Sequence, residues 1–115
     1  MKKSDVLAAL GALAQESRLD AFRLLVQAGP EGLPAGEVAT KLHVSPNTLT
    51  FHFDRLRMAR LVTVRREGRS MIYAAQYEVM NTLIGYLTEN CCKGQPCAPA
   101  PRKASAPAQR REKVT

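Results

Sequence analysis

A mainly α, α+β fold is predicted by three observations. Apolar residues recur at helical spacing through most of residues 4–60 and again over 76–90, whereas period-two alternation is confined to 62–73. Between two short helical segments lies a three-residue connector, His43-Val44-Ser45, followed by Pro46. The predicted order is helix, helix, helix-turn-helix, hairpin, helix, which makes a winged helix-turn-helix with a two-stranded β-hairpin wing.

Ser4 and Asp5 can open the first helix, with Val6, Leu10 and Leu13 on one face. Ser17, with Asp20 three residues on, has the spacing of a capping box and is expected to start the second, whose stripe is Leu19, Phe22, Leu25 and Val26. Gly29-Pro30 ends it, because glycine tolerates a left-handed cap and proline cannot continue a helix. Pro34 to Leu42 is a short helical segment with Val38, Ala39 and Leu42 inward. His43 occupies the turn, where a positive φ is tolerable for histidine. Ser45 is a good N-cap and Pro46 fits the first helical position, so a helix is expected from Pro46 to about Arg60 with Leu49, Phe53 and Leu56 inward. Val62 and Val64, then Met71-Ile72-Tyr73, form the arms of a hairpin with the basic tip Glu67-Gly68-Arg69. Helical spacing returns from Gln76 to Asn90, where Val79, Met80, Leu83, Ile84 and Leu87 cover a wider arc than one small sheet can bury; this is read as a partner-facing helix of a homodimer, with a well-covered core helix as the competing reading.

Length and composition set the outer limits. At 115 residues and 45% apolar, the chain suits one small globular domain and is too short for a large cofactor-binding enzyme fold. The expected organisation is a folded region 1–97 and a disordered basic tail 98–115, rich in Pro and Ala. Lys2-Lys3 and the apolar run Val6 to Ala14 superficially resemble a secretory leader, but Asp5 and the continuing helical period favour a cytoplasmic helix. No run has the length of a membrane span, and the three cysteines are expected to be reduced thiols.

The net charge is +7, but it is unevenly placed: residues 55–69 hold six arginines against one acid. A local basic segment in a nearly balanced domain marks a polyanion footprint. With Leu49, Phe53 and Leu56 inward, the rest of the helix surface is populated by Asn47, Thr48, Thr50, His52 and Arg55. Asn can read adenine, Arg guanine, and Thr methyls can meet thymine methyls. Ser45 and Thr48 at the helix start suit phosphate, and Arg66 and Arg69 of the hairpin would reach phosphate or the neighbouring minor groove. The expected partner is therefore double-stranded DNA, which the resemblance below narrows to an operator.

The stretch Ser45-Pro46-Asn47-Thr48-Leu49-Thr50-Phe51-His52-Phe53, with Leu56, Ala59, Leu61 and Val62, is similar to the recognition helix of the ArsR/SmtB family. So are Arg66-Glu67-Gly68-Arg69-Ser70 followed by Tyr73, and the early Ser17-Arg18-Leu19 with Arg23-Leu24-Leu25. The resemblance covers about residues 4–97. It implies a cytoplasmic homodimeric repressor whose first and last helices form the dimer and whose inducer ion releases DNA.

Cys91, Cys92 and Cys97 are the only cysteines and fall within seven residues at the end of the last predicted helix. Gly94 lets the chain reverse, so three sulfurs can converge on one centre. Soft thiolates select thiophilic centres, and zinc normally wants four protein ligands. Three thiols suit trivalent arsenic or antimony: arsenous acid and three thiols give a neutral trithiolate and water. Glu37-Val38-Ala39-Thr40-Lys41-Leu42 has no cysteine and the last helix no histidine, so two other inducer sites of the family are missing. What remains resembles the subgroup with a terminal Cys-Cys and a third cysteine. Arsenite is the expected inducer, with antimonite, and methylarsenite on two thiols, as competitors. A thiol-redox switch on the same scaffold is the rival reading, because thiols beside Lys93 could oxidise and signal. An enzyme is disfavoured, since the chain has no Cys-x-x-Cys and no paired nucleophile and base near the cysteines.

Overall fold

A computed structural model describes residues 1–94. The elements are α1 (Lys3–Leu13), α2 (Glu16–Ala28), β1 (Leu33–Pro34), α3 (Ala35–Leu42), α4 (Pro46–Met58), β2 (Val62–Glu67), β3 (Ser70–Ala75) and α5 (Tyr77–Leu87), followed by a 3₁₀ turn, Cys91–Gly94. Two compact units divide the chain: Met1–Ile84, and the segment from Gly85 onward. The boundary expected at 97/98, and the tail beyond it, lie outside the described residues.

The mainly α, winged helix-turn-helix expectation matches the observed order, with one addition. The sheet has three antiparallel strands in the order β1-β3-β2, because Leu33 and Pro34 pair with Tyr73 and Ile72. Gly32 makes this edge possible. It sits at φ +78, and a Cβ there would collide with the Tyr73 carbonyl oxygen. The wing itself is the predicted hairpin, with Val62 opposite Ala75 and Glu67 opposite Ser70 around a Gly68-Arg69 turn. Gly68 takes φ +63 there.

Two helix starts differ from expectation. α1 begins at Lys3, with the Asp5 carboxylate accepting the Lys2 backbone N–H at 3.2 Å. α2 begins at Glu16, not Ser17: Gln15 is the N-cap, and its side-chain oxygen accepts from Arg18 N–H at 2.8 Å. The Arg18 guanidinium then donates through Nε to the Ala12 carbonyl at 2.6 Å, tying the end of α1 to the start of α2. The inward face of α1 is Val6 and Ala9, while Leu7 and Leu10 are exposed; on α2, Leu19 is exposed and Ala21 joins Phe22 and Leu25 in the core.

The core lies where α2, α3 and α4 meet the sheet. Leu25, Val38, Leu49, Phe53, Leu56 and Leu61 are its fully buried side chains. Phe53 stacks on Tyr73 with ring centroids 4.0 Å apart, joining α4 to the wing strand β3. Tyr77 at the start of α5 donates its hydroxyl to the Val26 carbonyl at 2.8 Å, satisfying a backbone acceptor near the end of α2. Among the described residues no helix is long and apolar enough to cross a membrane.

Candidate nucleic-acid interface and thiol segment

The α3–α4 turn is built from two local features. His43 adopts φ 57, ψ 43, the left-handed conformation that lets α3 stop and the chain reverse without glycine. Ser45 then caps α4: its Oγ accepts from Thr48 N–H at 3.2 Å and donates to Thr48 Oγ1 at 2.9 Å. The Ser45 proton is thereby committed, while the Thr48 hydroxyl keeps its own proton at an exposed helix start, where phosphate is favoured.

Burial of Leu49, Phe53 and Leu56 rolls α4 so that Asn47, Thr48, Thr50 and Arg55 are all exposed. Thr50 Oγ1 donates to the Pro46 carbonyl at 3.0 Å, which leaves its methyl as the outward feature. Arg55 holds its guanidinium 5.3 Å from the Phe51 ring centroid. On the wing, Arg66 Nε donates to the Gly68 carbonyl at 3.1 Å, and both Arg66 and Arg69 are exposed beside the tip. Arg65 is differently placed: it pairs with Glu67 at 2.6 Å and donates to the Glu31 carbonyl at 2.9 Å, bracing the wing.

His52 departs from the expected surface position. It is only 8% exposed, so it joins Leu49, Phe53 and Leu56 on the buried face, and a base-reading role does not fit this placement. Its Nδ1 is buried without a hydrogen-bond partner. Burial pushes its pKa below the ordinary 6.5, and the nearby Arg18 charge adds to the shift; both disfavour the imidazolium form. Tyr73 shifts upward, mainly by burial and secondarily through Asp54, against an opposing pull from Arg57.

Phe51 and Asp54, both outward on α4, were not among the sequence candidates. Phe51 is exposed, and Asp54 is half-exposed and paired with Arg57 at 3.4 Å. The helical period alone contains the signal: a step of about 100° per residue places both opposite the Leu49–Phe53–Leu56 stripe.

The thiol segment belongs to the second unit. After Leu87 the helix stops, Cys91 N–H donates to the Thr88 carbonyl at 3.0 Å, and Asn90, Cys92, Lys93 and Gly94 all take positive φ. This run of left-handed residues turns the chain sharply at the cysteines. Cys91 is half-buried and Cys92 exposed. Cys97 lies outside the described residues. Among the described residues, no group of three or more His, Cys, Asp or Glu side chains is placed to hold a metal ion.

A family described as a helix-turn-helix domain matches residues 13–65. The HTH-type transcriptional regulator YceK of Bacillus subtilis (strain 168) is 35% identical over 77 residues, which is 66% of this chain and 76% of that protein. Among solved structures, an ArsR-like transcriptional regulator from Rhodococcus sp. RHA1 superposes with a TM-score of 0.68 at 24% identity, over 79% of this chain and 83% of that one. The homodimeric winged helix-turn-helix DNA-binding domain of a possible ArsR-family regulator from Mycobacterium bovis gives 0.62 at 22% identity, over 80% and 85%.

Proposed function

Since the chain belongs to the HTH-type transcriptional regulators, a non-enzymatic family, and has the ArsR-type winged-helix fold, we propose that it is a cytoplasmic, homodimeric repressor released from operator DNA by trivalent arsenic. The observation that carries the DNA part is α4 itself. Its apolar stripe is closed into the core, and its opposite face stands in solvent beside a basic wing. A helix so presented fits the major groove, about 12 Å wide. Asn47, Thr50 and Arg55 face base edges, while Thr48, Arg66 and Arg69 take backbone phosphates and Ser45 holds the Thr48 hydroxyl in place for them. Two copies would place two such helices in successive major grooves.

The dimer reading rests on apolar side chains that the described residues leave exposed. Leu7 on α1 is 62% exposed, and Ile84 and Leu87 on α5 are 51% and 57% exposed. The homodimeric state of the Mycobacterium bovis domain is in keeping with a dimer.

The inducer reading rests on the donor set. Cys91 and Cys92 are adjacent at a sharp turn, and soft sulfur suits a thiophilic centre. Cys97 is proposed as the third donor. Arsenous acid with three thiols forms three As–S bonds and releases three waters, with no net charge left at the helix end. Antimonite offers the same chemistry, and methylarsenite needs only two thiols. The rival thiol-redox reading is favoured by one feature, the exposure of Cys92 beside Lys93.

Anisotropy of a labelled operator fragment, titrated with arsenite, tests the proposal. Wild-type protein should release DNA, and the Cys91→Ser/Cys92→Ser variant should bind the same DNA and stay bound. Continued release from that variant contradicts the assigned site. Release by peroxide and not by arsenite establishes the redox rival instead.

A further inference from the structure

We propose that Phe51 is a specificity-determining residue that reads thymine 5-methyl groups in the major groove; the inference rests on the DNA-binding reading above. The chain has three phenylalanines. Phe22 and Phe53 are buried, but Phe51 is 54% exposed in the middle of α4. With the stripe of α4 already closed, an apolar ring of this size left in water is available to something outside the chain.

Its neighbours define what that something is. The helical period sets Phe51 on one ridge with Asn47, Asp54 and Met58, directly away from Leu49, Phe53 and Leu56. Met58 is exposed as well. Thr50 presents a methyl, since its hydroxyl donates to Pro46. The ridge therefore offers apolar surface at its centre, an amide at its start and a carboxylate that Arg57 partly neutralises. In the major groove, the one apolar group on any base edge is the thymine C5-methyl. Arg55 completes the device. Its guanidinium, 5.3 Å from the ring centroid, holds the aromatic face in place and puts positive charge beside it, where the phosphate backbone or a guanine edge would lie. Apolar ring and flanking cation together match DNA better than the apolar surface of a protein partner.

The test uses duplexes enriched by the full chain from a random-sequence pool, with each thymine replaced in turn by uracil, which pairs identically but lacks the methyl. Wild-type protein should lose about fourfold in affinity at one position per half-site, the value of one buried methyl-sized group. Phe51→Ala should bind the thymine duplex more weakly and show no further loss on uracil. Phe51→Leu should keep part of the discrimination. Phe51 is exposed, so both variants should melt with the wild type. Uracil tolerated at every position, or the same uracil penalty in wild type and Phe51→Ala, overturns the inference while leaving DNA binding intact. Failure of the pool to yield any enriched sequence overturns the DNA-binding reading and this inference with it.

Discussion

Helices α4 and α5 have similar lengths and use their apolar residues in opposite ways. In α4, Leu49, Phe53 and Leu56 are sealed into the core, and Phe53 is stacked on Tyr73. In α5, Leu83 is the one buried side chain, while Ile84 and Leu87 are each more than half exposed. The reading helix is thus completed by its own chain, so its outward face can be held rigidly for a nucleic acid. The last helix is left incomplete, which is what a second copy would finish and what a thiol-bound ion at its end could disturb.

The largest effect expected from this contrast is inside α4. Phe53→Ala removes a fully buried ring and should destabilise the fold by about 3–5 kcal/mol, measured by urea unfolding. Phe51→Ala, two residues away on the exposed face, should stay within about 0.5 kcal/mol of wild type. Equal losses for the two would mean that α4 is not rolled as described.

Next is the unfinished face of α5. Ile84→Glu would place an unpaired charge in the proposed dimer interface, costing about 3 kcal/mol or more. Sedimentation equilibrium should then show dimer affinity lowered by on the order of a hundredfold. An unchanged dimer would remove α5 from the interface.

A smaller loss is expected at the sheet edge. Gly32→Ala meets both φ +78 and the Tyr73 carbonyl, and should cost about 1–3 kcal/mol in thermal or urea unfolding.

The smallest is a pH effect at His52. Its folded pKa lies below 6.5. Well above 6.5 the ring is neutral in both states and contributes no pH dependence. As pH falls below it, the unfolded chain binds the proton and the folded one does not, so stability drops, levelling off once pH passes the folded pKa. His52→Gln should flatten this segment of the stability profile, and an unaltered slope would show that the burial of His52 does not matter.

Features decided within a few residues were readable in the sequence. Ser45-Pro46 marks a helix start, His43 tolerates the left-handed turn, and Gly68 marks the hairpin tip, because each acts through its own backbone angles. Features decided by tertiary contact were not. Gln15 caps α2 in place of Ser17 because the junction is set by Arg18 reaching back to Ala12. β1 is two residues long and contains a proline, so no period announces it; its existence depends on Gly32 fitting under Tyr73. His52 flanks an apolar stripe that three residues define, and only tertiary packing against α4 decides that it is covered. Of the proposed thiol site, adjacency of Cys91 and Cys92 was legible; the left-handed run that bends the chain there was not, since Cys92 and Lys93 are not residues that ask for positive φ.

In the repressor proposed above, the thiol end and the groove-reading end share one equilibrium. Its most direct test is the affinity of arsenite for the full chain, measured by titration calorimetry with and without saturating operator duplex. Linkage requires the operator to weaken arsenite binding by the same factor by which arsenite weakens operator binding, about 5- to 150-fold for a typical coupling. Equal factors in that range are the predicted result; an arsenite affinity indifferent to the operator would contradict the claim.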